Sequence, residues 1–126
     1  MTNMLNLMKQ DNPDEYKEIM NTFITSAKAN DINSMINITS DLTIKNIGLE
    51  KLKTHYTNDS VPVLKMCKPF STGGDVIHVT KEETGTGPGW VFRKVCHYKK
   101  DKKAVLQFVI LNEQGRLVLA SFGMLQ

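Results

Sequence analysis

The side chains best suited to chemistry in this chain of 126 residues are three histidines, two cysteines and one glycine-rich loop. His55, His78 and His97 fall on separate segments without an HxxxH spacing, so their pattern does not point to a metal ion. His78 is the strongest candidate for proton transfer, because Val76 and Thr80 share its face of an alternating segment. To act as acid or base it needs a partner of matched pKa within hydrogen-bond reach, and a structural or exposed histidine is the simpler reading. Cys67 and Cys96 lack the CxxC spacing of a redox or zinc motif. They are either two buried free thiols or one disulfide tying the first β segment to a central strand, which would require an oxidising compartment. Gly85-Thr86-Gly87-Pro88-Gly89 has the composition of a phosphate loop, but β-rich residues follow it and the Lys-Ser/Thr ending is missing. It reads as a plain connection. No cofactor is expected.

Composition narrows the partners. The chain is 40% hydrophobic and 23% charged with a net charge of +3, ordinary for one soluble domain and too mildly basic for a dedicated nucleic-acid binder. Lys99, Lys100, Lys102 and Lys103 cluster around Asp101 at an expected hairpin tip. A solvated turn that discourages strand-edge pairing is the simplest account, with weak contact to an anionic surface as the alternative. Stacking aromatics are not interleaved there, so no specific nucleic acid is expected. The seven methionines are spread over several elements, as packing requires. No apolar run approaches a bilayer span, and the first residues lack the basic and apolar regions of a signal peptide. The protein therefore either stays in the cytoplasm or is exported by a signal that this sequence does not carry.

These groups must be positioned by helices first and strands after. Asn12-Pro13-Asp14-Glu15 is a helix start, with Asn12 as cap, Pro13 in the first turn and Glu15 placed to reach back. Tyr16, Ile19, Met20, Phe23, Ile24 and Ala27 then form an apolar stripe ending near Asn30. Asp31 caps a short second helix that Thr39-Ser40-Asp41 breaks. Residues 42–47 read as extended or irregular, and Gly48 opens a helix through Tyr56. Asn58-Asp59-Ser60 reads as a turn, and Pro62 marks an edge strand through Val63, Leu64, Met66 and on to Phe70. After a turn at residues 71–74, residues 75–83 alternate as a strand. Residues 90–99, 103–111 and 116–124 form an antiparallel meander broken by charged and glycine-containing connections. Ala104 to Leu111 is apolar except for Gln107, which predicts a central strand covered on both faces. The fold class is α+β, with residues 1–12 as a tail or linker and 13–126 as a single domain.

Three stretches then carry a family resemblance: Phe23-Ile24-Thr25-Ser26-Ala27-Lys28-Ala29-Asn30-Asp31, Gly48-Leu49-Glu50-Lys51-Leu52, and Gly115-Arg116-Leu117-Val118-Leu119-Ala120-Ser121-Phe122. With the order of elements, they make the chain similar to the nuclear transport factor 2-like (cystatin-like) superfamily, nearest to small bacterial secreted or lipoprotein-type members. Leu117 stands where the family usually has an aromatic residue. The resemblance implies a cone of N-terminal helices on a curved antiparallel sheet, with a pocket lined by Phe23, Tyr56, Trp90, Phe92, Phe108 and Phe122. It favours a Cys67–Cys96 disulfide and an envelope or periplasmic location, with the cytoplasm as alternative. Enzymes of that family place an acid–base pair in the pocket, for which His78, Asp75, Tyr56 and Tyr98 are the residues of suitable type, though none sits in a matching motif. The expected function is a non-enzymatic binding or assembly module, taking an apolar ligand in the pocket or a protein on the sheet face, where a homodimer could also form. The alternatives are a small isomerase- or cyclase-like enzyme and a periplasmic component of a secretion apparatus.

Overall fold

Asn12 sets the start of α1 (Pro13–Lys28) by accepting a hydrogen bond from the Asp14 amide at 2.9 Å. The structure, a computed structural model, describes residues 12–67, 74–99 and 102–125. Phe70, Ser71-Thr72-Gly73, Lys100 and Asp101, and nearly all of the expected N-terminal tail, lie outside these. One face of α1 buries Tyr16, Met20, Phe23 and Ala27, while Lys17, Glu18, Asn21, Thr22 and Thr25 face solvent. The stripe read from the sequence is therefore the face that enters the core. Asp31 caps α2 (Ile32–Asn37), accepting from the Ser34 amide and hydroxyl, and these bonds hold its carboxyl below the usual range.

Three expected non-helical segments are helical. Residues 42–47 belong to α3 (Asp41–Ile47), because Ser40 caps it at the Thr43 amide and Asp41 lies in its first turn. α4 (Leu49–His55) does not end in a turn at residues 58–60. It continues through a π-helical turn (Tyr56–Ser60) into α5 (Val61–Met66), where an edge strand was expected. Pro62 brings no N–H to this continuous helical run, and the π-helical turn lies directly before it. Expected strand 75–83 also divides. Only β1 (Val76–Val79) is extended, and Thr80 with Glu83 closes a capping box that starts the single-turn α6 (Lys81–Thr84). Gly85, at φ 81°, ends that turn in the left-handed region.

The meander is present as β2 (Gly89–Lys99), β3 (Lys102–Glu113) and β4 (Arg116–Leu125), and β1 adds a fourth antiparallel strand in the order β1-β2-β3-β4. Gln114 and Gly115, at φ 55° and 88°, make the tight β3–β4 connection, whose hand suits the strand twist. The helices pack against the sheet side that carries Phe92, Cys96, Leu106, Phe108, Ile110 and Leu119, all buried. β3 is central but is not covered on both faces as expected: Val105, Gln107 and Val109 on its outer side are only half-buried. There Arg93 Nε donates to Gln107 Oε1 at 3.0 Å.

Cys67, just past α5, forms a disulfide with Cys96 of β2, the two Cα atoms 5.0 Å apart. Of the two readings left by the sequence, the bonded one holds. A disulfide persists in oxidising surroundings and so fits an extracellular or periplasmic location. Among the described residues, no helix is long and apolar enough to cross a membrane. The bond spans 29 residues, and closing such a loop in the unfolded chain is worth about 3.5 kcal/mol. Urea unfolding of the oxidised protein and of the Cys67→Ala/Cys96→Ala variant should differ by that order, and an unchanged midpoint would contradict it.

Candidate functional site

Tyr56 stands apart from His78 and Asp75, the other residues proposed for acid–base chemistry. Tyr56 lies in the core with its hydroxyl 2.8 Å from Thr39 Oγ1. Thr39 already donates its own proton to the Met35 carbonyl at 2.8 Å, so Tyr56 is the donor in that pair. Burial pushes the Tyr56 phenol upward, and the bond to Thr39 only partly opposes this. His78 and Asp75 stand at the other edge of the sheet. The His78 ring meets Trp90 edge-on at 4.9 Å, and Asp75 lies 3.8 Å from Arg93. Tyr98 is half-buried on β2 beside Cys96. Among the described residues, no group of His, Cys, Asp and Glu could hold a metal ion.

The six aromatics assigned to a pocket occupy other places. Phe23 stands at the centre of a ring cluster, with its centroid 5.3 Å from Tyr56, 6.4 Å from Phe108 and 5.3 Å from Phe122. Phe108 and Phe122 are 4.9 Å apart, and Phe92 is buried beside them in the same core. These edge-on and tilted contacts fill space between helix and sheet, each pair adding roughly 0.5–1.5 kcal/mol beyond area burial. Trp90 is half-buried, and of the six only Phe122 borders the clefts described next.

Three surface clefts are lined by the described residues. One, of about 460 Å³, lies between α3, the β3–β4 turn and the loop after α6. In it Arg116 Nη1 is 3.6 Å from Asp41, and the Glu113 carboxylate accepts from Ser40 Oγ at 2.7 and 3.0 Å. The other two, about 150 and 170 Å³, are mainly apolar and share Val63 and Met124. They lie side by side between α5 and the ends of β3 and β4, as a trough with Val63 and Met124 in both halves, Met66 at its lip and Leu106 and Phe122 at its floor. His55 and Asp59, paired at 2.9 Å across the π-helical turn, stand at one end. Sequence reasoning missed this trough because it placed α5 in the sheet. The four-residue spacing of His55 and Asp59 was the available signal, and the expected turn at Asp59 concealed it. Of the lysine cluster, Lys102 and Lys103 are exposed.

A buried phenol makes one measurable pH effect. Because the folded protein raises the Tyr56 pKa above its ordinary value of 10.0, this group's stability contribution is complete below that pH. It is lost as pH climbs through the raised folded value, since the unfolded chain ionises first. Tyr56→Phe should cost about 1 kcal/mol at neutral pH through the lost hydrogen bond, and should flatten the alkaline fall in stability. Equal alkaline slopes for parent and variant would remove Tyr56 from the effect.

A scan against protein-family models, a search of curated proteins and a search of solved structures each find no match to this chain.

Proposed function

We propose that the chain is a non-enzymatic binding module that works outside the reducing cytoplasm and takes the apolar part of its ligand in the trough between α5 and β4. The observation that carries this reading is the pair of apolar clefts that share Val63 and Met124 in their linings, with Met66 and Met124 about half exposed at 51% and 49%. Unbranched, polarisable methionine side chains adapt to ligands of varied shape, and two of them flank this opening. The filled aromatic interior supports a surface trough over an enclosed chamber, and the burial of Tyr56 away from His78 and Asp75 argues against an isomerase. A long helix, short helices and then an antiparallel sheet is the order that suggests a nuclear transport factor 2-like module. The disulfide supports the periplasm or cell envelope.

Titration of the oxidised protein with anilinonaphthalene sulfonate should give saturable fluorescence enhancement. Val63→Asp and the more exposed Met66→Asp should each weaken it at least fivefold, the second without loss of fold. No saturable binding, or equal binding by both variants, would overturn the trough as a ligand site. Protein isolated from its native host and denatured without reductant should show no titratable thiol, and two thiols would remove the argument for an oxidising compartment.

A further inference from the structure

The two edges of the sheet are guarded differently. β1 is four residues long, with Asp75 before it and the capped turn of α6 after it. β4 is ten residues long, and residues 117–125 contain neither a charged side chain nor a proline. Strand edges usually carry such guards, because their free N–H and C=O groups otherwise pair with other chains. The first part of β4 is covered. Leu119 N donates to the Ile38 carbonyl at 2.7 Å, Ser40 N donates to the Leu119 carbonyl at 2.8 Å, and Thr43 Oγ1 donates to the Ala120 carbonyl at 2.9 Å. The register shift opposite Val109 and Ile110 falls at this point. Beyond it, among the described residues, no backbone hydrogen bond reaches the outer side of residues 121–125. Met124 and Leu125 are 49% and 39% exposed there, and a side chain added at Gly123 would meet open space.

We propose that this open half-edge pairs antiparallel with the same segment of a second copy, on a two-fold axis through Gly123. The occupant follows from the segment's own chemistry. Antiparallel pairing about Gly123 sets Phe122 of each copy opposite Met124 of the other on the helix side, two ring-to-thioether contacts. Ser121 then faces Leu125 across the outer side. Because the run is uncharged, self-pairing brings no like charges together along the strand. Two four-stranded sheets become one of eight, closed by symmetry so that growth stops at the dimer. So short a contact implies a weak, concentration-dependent dimer and not an obligate one. This inference does not require the trough to hold a ligand.

Sedimentation equilibrium of the intact oxidised chain across micromolar to millimolar concentrations should show a monomer–dimer equilibrium. Gly123→Lys and Gly123→Asp, each placing like charges face to face on the axis, should both be monomeric. An equimolar mixture of the two should recover dimer, less so at high salt. A parent that stays monomeric throughout overturns the proposal. So do variants that dimerise like the parent, or a mixture no more associated than its components. Far-ultraviolet circular dichroism of the same variants separates loss of the dimer from loss of the fold.

Discussion

Six residues of helix gain little from propensity alone, so α5 keeps its position on the sheet through what anchors its two ends. Yet the lip of the apolar trough is made of this segment, α5, and the trough exists only while α5 stands off from the end of β4. The Cys67–Cys96 bond fixes that distance by joining the residue just past α5 to β2, while Leu64 is wholly buried against the core. Chain entropy that would otherwise favour release of the segment is removed from the unfolded state. The π-helical turn before α5 does the complementary work. It carries the chain onward without a break, burying Tyr56 and Ser60 while leaving His55 and Asp59 at the surface.

Inside, the aromatic residues are used up in filling space. Phe23 touches rings from the π-helical turn, from β3 and from β4, so one side chain of α1 ties together elements far apart in sequence. A core closed in this way gives a firm frame and leaves recognition to its margins. Two margins stand out. One is the methionine-flanked trough, and the other is the uncharged end of β4, and Met124 belongs to both. A contact at the edge would therefore be felt in the trough through a shared side chain.

Burial also decides which polar groups are free to act. Tyr56 looked like a donor for a reacting oxygen, but its proton is committed to Thr39, whose own proton is committed to Met35. That chain of hydroxyls closes the α2–α3 connection onto the π-helical turn. The Arg93–Gln107 pair on the outer sheet side is likewise satisfied internally, as is Glu113 by Ser40. Tyr56 and Gln107, two polar side chains that attract notice in the sequence, are holding elements together.

Where a local signal and the hydrophobic period agreed, the residues alone were enough. Asn12-Pro13 with the Tyr16–Ala27 stripe determined α1, and the alternating runs between charged or glycine breaks determined the meander. The Thr80-x-x-Glu83 capping box was also written in the chain, but the alternation around it argued for a longer strand. Residues 42–47 and 61–66 contain several β-branched side chains, and their preference for extension was overridden by the Ser40 cap in the first segment and by burial of Val61 and Leu64 in the second. The cysteine types permitted a bond, whereas only the approach of α5 to β2 selected it. Candidate groups for catalysis were likewise nameable one by one, but which of them share a site depends on contacts between distant segments. A linear pattern fixes local geometry because neighbouring residues meet whatever the fold. Juxtaposition at a site follows only from how the elements pack.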